Sequence, residues 1–77
     1  MSSNEIQTER SMIIFVNGQE TQISNGHTAY DLLLDLGFET RPVAVEVNKE
    51  VIPRALLPSR VLCEHDQIEV VTLVGGG

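Results

Sequence analysis

The chain has 77 residues, 42% of them apolar, and a formal net charge of −6 from 11 acidic and 5 basic side chains. That length allows one small domain with no room for a sizeable active-site cavity, which favours a carrier, a subunit or a binding module over a self-contained enzyme. The acidic balance repels phosphate backbones and anionic headgroups, so neither nucleic acid nor a membrane surface is an expected partner, and a protein with a basic surface is.

Residues 1–11 are polar and without periodicity. They read as a disordered extension and lack the apolar core of a signal peptide. Met12 opens a different composition. Ile13 to Val16 are β-formers, and Asn17-Gly18 is a hairpin signal, because a type I′ turn needs positive φ at both central positions. The returning arm, Gln19 to Ser24, is mostly polar and fits a sheet edge. Thr28 reads as a helix N-cap, with Asp31 three residues on. Ala29, Leu32, Leu33 and Leu36 form one apolar stripe, Gly37 stops the helix, and Phe38 can fold back onto the stripe. Tyr30 and Leu34 read as flanking that contact.

Val43, Val45 and Val47 alternate with Ala44 and Glu46, the period of a strand with one buried face. Asn48-Lys49-Glu50 reads as a turn into a short strand, Val51-Ile52, which Pro53 ends by removing a donor. Leu56, Leu57, Val61 and Leu62 read as a plug at one end of the core. Ile68, Val70, Val71, Leu73 and Val74 put apolar residues on both faces of the last strand, which suits a central position. Cys63 is the sole cysteine, so no internal disulfide is possible. No apolar run approaches the ~20 residues of a membrane span, and the expected location is the cytoplasm.

The element order is thus two strands, a helix, two strands and a final strand. One helix covers one face of one sheet, and the crossover permits a parallel pair between the apolar first and last strands. The expectation is an α+β fold, a mixed sheet of four to five strands packed on one helix in the ubiquitin-like β-grasp arrangement. Its predicted divisions are the extension 1–11, a domain over 12–74 and a glycine tail over 75–77.

Side chains that could carry chemistry are few. His27, His65 and Cys63 lack the paired spacings of a zinc site. Cys63 and His65 would share a face if they lay on a strand, but no third orienting group accompanies them, so a loop cysteine near a solvated histidine is the favoured reading. Glu64, Asp66 and Glu69 are close together without a cleft to make them an acid/base pair. What remains is "EVVTLVGGG". Gly75, Gly76 and Gly77 form a segment thin enough to thread a slot that excludes side chains, at an ordering cost of about 1–2 kcal/mol per residue. A carboxylate is a poor electrophile, and adenylation by ATP would make it a mixed anhydride open to attack. The residues alone leave two readings of this tail, a frayed end or a working carboxylate.

The stretches "VAVEVNKEVIPR", "HDQIEVVTLVGGG" and "NGHTAYDLLLDLGF" resemble the ThiS family, bacterial sulfur carriers of thiamine biosynthesis, and the resemblance runs from Met12 to Gly77. It implies that Gly77 is the reactive residue, with Gly76 completing the terminal Gly-Gly and Gly75 an additional glycine. An adenylyltransferase of the ThiF type, related to ubiquitin-activating enzymes, would consume ATP to form a Gly77 acyl-adenylate. A cysteine desulfurase or sulfurtransferase would supply sulfur for a Gly77 thiocarboxylate, and a thiazole synthase of the ThiG type would accept it. The carrier itself would hold no cofactor and no metal and would contribute no catalytic side chain. Other readings are the small subunit of molybdopterin synthase, a ubiquitin-like modifier (although Lys49 is the only lysine), and a small binding domain with an inert tail. Partner docking is expected around the exit of the last strand, at Leu73 and Val74, with Val51, Ile52 and Pro53 as further candidates. Glu64, Asp66 and Glu69 would face a basic partner rim.

Overall fold

Two asparagine-led turns shape the sheet. Asn17 and Gly18 take φ values of 51° and 82°, the left-handed pair that a two-residue type I′ turn requires. They join β1 (Ser11–Val16) to β2 (Gln19–Ser24) in an antiparallel hairpin. Asn48 and Lys49, at 53° and 71°, do the same for β3 (Val43–Val47) and β4 (Glu50–Val51). Glu50 therefore pairs with Val47 as a strand residue and does not form part of the turn, as the sequence reading had it. The computed structural model describes residues 11–38 and 40–73. The expected disorder of residues 1–10 and the expected tail at Gly75, Gly76 and Gly77 lie outside them. Ser11 already pairs with Ser24, so β1 takes in one residue of the expected extension.

The five strands lie in the order β2-β1-β5-β3-β4, with β5 (Gln67–Thr72) at the centre. β5 runs parallel to β1 and antiparallel to β3. This is the expected mixed sheet, with the polar second arm at its edge.

α1 (Ala29–Leu36) crosses one face of the sheet. Its start is a reciprocal capping box. The Asp31 N–H donates to the Thr28 hydroxyl and the Thr28 N–H donates to the Asp31 carboxylate, each at 3.0 Å. Its end is a Schellman arrangement around Gly37 at φ 81°, in which Gly37 N–H donates to Leu34 O and Phe38 N–H to Leu33 O. Phe38 is thereby folded back against the core, as expected. Ala29, Leu32 and Leu33 are buried. Leu36 is exposed, in contrast to the predicted stripe, because it is the last helical residue before the chain reverses at Gly37. A 3-10 helix (Arg54–Ser59) follows β4. Of the predicted plug, Leu57 and Leu62 are buried while Leu56 and Val61 face solvent. The tight 3-10 turn and the single Thr28–Val61 bridge direct only one of each neighbouring pair inward.

Ile14, Val45, Val47, Ile68 and Val70 from the three central strands meet the helix residues in one core. Among the described residues, every buried side-chain nitrogen or oxygen has a hydrogen-bond partner.

Candidate functional site

The site is built on the two faces of β5. Ile68 and Val70 point into the core, and Glu69 and Val71 point to the face away from the helix. Leu73 extends the ladder beyond the strand proper, since its N–H donates to Pro42 O at 2.8 Å. The chain is thus held in the sheet as far as Leu73, at the end where β3 begins. β5 has a bonded neighbour on each side at its start, which fixes the line along which the chain leaves the domain.

On the outward face, register places Glu46 directly opposite Glu69, Val51 next to Glu46, and Ala44 opposite Val71. Glu46, Lys49, Gln67, Glu69 and Val71 line a shallow hollow there. Val51, Val71 and Leu73 are 62%, 55% and 51% exposed, an unusual outward display of β-branched and leucine side chains for so small a sheet. Adjacent acidic residues and exposed apolar ones therefore share the outward face of the sheet alongside β5.

Of the predicted docking residues, Leu73, Val51 and Pro53 are exposed, and Val74 lies outside the described residues. Ile52 does not belong with them. It is 7% exposed, and its N–H donates to Val45 O, so this residue just after β4 turns into the core while its neighbour Val51 faces out. Asp66 is a second correction. It is not a rim charge: it is 8% exposed and accepts from Cys63 N–H at 2.8 Å and from Asn48 Nδ2 at 2.9 Å. Glu64 and Glu69 are exposed, and Glu64 also accepts from Ile13 N–H at 3.1 Å.

Cys63 and His65 do not lie on a strand. They occupy a turn in which His65 takes φ 68° and its ring stacks on Phe15 with centroids 6.4 Å apart. No nucleophile–base contact joins Cys63 to His65, so the reading of a loop cysteine near a solvated histidine describes them. Among the described residues, no group of three or more His, Cys, Asp and Glu side chains could hold a metal ion, and no helix is long and apolar enough to cross a membrane.

Sequence reasoning did not place Val71 and Glu46 on the docking face, although the alternation of β3 and β5 carried the signal. It also missed Asn17 and Asn48, whose side chains reach β5. Asn48 Oδ1 accepts from Gln67 N–H at 2.9 Å, and Asn17 brackets Val70. Both were read only as turn residues.

The model of the ThiS family matches residues 6–77. A protein named sulfur carrier protein ThiS from Thermus thermophilus is 34% identical over 65 residues, which are 84% of this chain and 100% of that protein. A thiazole synthase from Magnetococcus marinus is 47% identical over 66 residues, 86% of this chain but only 20% of that protein's length. The crystal structure of a thiamine biosynthesis protein (ThiS) from Geobacter metallireducens superposes with a TM-score of 0.74 at 28% identity, covering 86% of this chain and 100% of that one. The mixed sheet on one helix is the ubiquitin-like β-grasp fold. A family match that takes in all five strands, the helix and the residues beyond Leu73 leads to one conclusion: the chain belongs to the ThiS family.

Proposed function

We infer that this chain is a sulfur carrier of thiamine biosynthesis and that its working group is the carboxylate of Gly77. The observation that carries the reading is the placement of β5. The last strand is the centre of the sheet, bonded on both sides, and it delivers the chain past Leu73 beside an exposed apolar face. A fixed exit next to a docking surface is what a carrier needs when a partner performs the chemistry. The chain then acts as a cosubstrate and contributes no catalytic side chain.

In the proposed cycle, a ThiF-type adenylyltransferase docks on the outward face through Leu73, Val51 and Pro53, with Val71 beside them, and Val74 and the glycines enter its site. The Gly77 carboxylate attacks the α-phosphorus of ATP and releases pyrophosphate. A persulfide sulfur from a cysteine desulfurase or sulfurtransferase displaces AMP, and reduction of the resulting acyl disulfide by a thiol leaves the thiocarboxylate. ATP is consumed on the partner, and the carrier retains no cofactor. Thiazole synthase is the proposed acceptor, supported by the matching segment within a protein of that name. The cycle is proposed to run in the cytoplasm.

Intact-mass measurement tests this reading. After incubation with ATP, cysteine, a desulfurase and the adenylyltransferase, the mass should rise by the difference between sulfur and oxygen, with the change confined to the C-terminal peptide. An unchanged mass with an enzyme that loads another ThiS-family carrier in the same mixture overturns it.

A further inference from the structure

β1 stops before β5 does. The two strands pair at Phe15–Gln67 and Val16–Ile68, and the Asn17 N–H donates to Ile68 O at 2.8 Å. Since Leu73 N–H bonds toward β3, Val70, two residues on from Ile68, turns its own N–H and C=O toward the β1 side. No backbone from β1 meets them, because the chain turns away at Asn17-Gly18. The Asn17 carboxamide takes the place of the missing peptide group. Val70 N–H donates to Asn17 Oδ1 at 2.8 Å, and Asn17 Nδ2 donates to Val70 O at 3.2 Å. A carboxamide has the donor and acceptor of a peptide unit, so the ladder gains one more rung from a side chain.

We propose that Asn17 is a positioning residue for the reactive tail. Beyond Val70, β5 is held on the β3 side through Leu73 and Pro42. On the other side, the Asn17 rung is the last described hold. With both in place the strand cannot swing about its β3 edge, and the direction in which it hands on the chain is set. Without Asn17 the end of β5 pivots, and the tail samples orientations that miss the partner's site. The inference rests on the sulfur-carrier reading and adds the residue that aims the carboxylate.

Asn17→Gly removes the carboxamide and keeps the turn, because glycine adopts φ 51° without strain. Asn17→Asp keeps the acceptor and the left-handed preference but loses the donor to Val70 O, and it carries the same test if the glycine loosens the hairpin. The readouts are amide exchange and steady-state pyrophosphate release with the carrier as varied substrate. Exchange should accelerate at Val70 and stay unchanged at Ile14, Leu33 and Val47. KM for the carrier should change much less than kcat, because Val51 and Pro53 lie outside β5 and Leu73 keeps its bond to Pro42 O, while kcat falls by up to about a hundredfold, the scale of effect expected from misplacing a reacting group. The aspartate variant should fall between the two. A folded variant whose kcat equals wild type overturns the inference, as does a loss that appears only in KM. Failure of the wild-type chain to be adenylated overturns the carrier reading and this inference with it; a competent wild type with an equally competent variant overturns the inference alone.

Discussion

Asp66 shows how a single residue can mislead at the level of sequence. It stands between His65 and Gln67 in an acidic stretch and reads as one more surface charge. Its carboxylate instead ties the turn Cys63–Asp66 to the β3–β4 turn through Asn48, 18 residues away in the chain. Side-chain partners at that separation leave no local pattern. Asp66→Ala removes the acceptor for two donors at once and should cost about 2–3 kcal/mol of unfolding free energy, because stranded donors lose more than the bond itself. A urea midpoint that moves by less than half of that would show the network to be dispensable. Ile52 is a related case. A two-residue strand has no alternation to phase, so which of Val51 and Ile52 faces the core becomes visible only once Glu46 and Val51 are seen to pair.

At the scale of one element, α1 was legible from end to end because its signals are local: a cap, a stripe and a left-handed stop, all within eleven residues of chain (Thr28 to Phe38). Only Leu36 escaped, since the stripe cannot tell where the sheet beneath the helix ends. The capping box also makes the helix sensitive to acid. The bond from the Thr28 backbone N–H holds the Asp31 carboxyl below its ordinary value of 3.8; partial desolvation opposes this, and the Thr28 hydroxyl and His27 add to the lowering. A lowered folded value means that the cap's contribution is complete above the unfolded value and is lost as pH falls through the folded one. Denaturant midpoints measured from pH 6 downward should therefore drop more steeply in the wild type than in Asp31→Asn, which lacks the titrating group. Parallel curves would show that the cap does not titrate with folding. Thr28→Ala, which removes the other half of the box, should cost about 1 kcal/mol at neutral pH.

For the whole molecule, the mixed sheet and the central place of β5 followed from two facts of composition, a polar second arm and a last strand that is apolar on both faces. The outward face was less legible, because it is made by cross-strand register. Glu46 and Glu69 are each unremarkable in sequence and become a like-charge pair only when β3 and β5 align. Direct opposition of like charges on a sheet costs the free protein stability. An acidic pair beside exposed Val51 and Val71 suits a partner with a basic, apolar-centred surface. Glu69→Lys should therefore raise the melting temperature, by the few degrees that a gain of about 0.2–1 kcal/mol implies. It should also raise KM for the proposed adenylyltransferase at low salt, with the difference shrinking as ionic strength rises. A variant that is stabilised and docks as well as wild type at low salt would remove the acidic pair from the interface.

The parallel pairing of β1 with β5 has a consequence for how the domain comes into being. The middle of the sheet joins strands whose contacts span more than 50 residues, the Asn17–Val70 pair being 53 apart. The β1–β2 hairpin alone is marginal in water, and long-range closure of this kind is slow and cooperative. No truncated or half-folded copy has a finished centre from which a tail could emerge along a defined line. In the proposed cycle, folding would therefore act as a checkpoint, with ATP spent only on chains that have already closed their sheet.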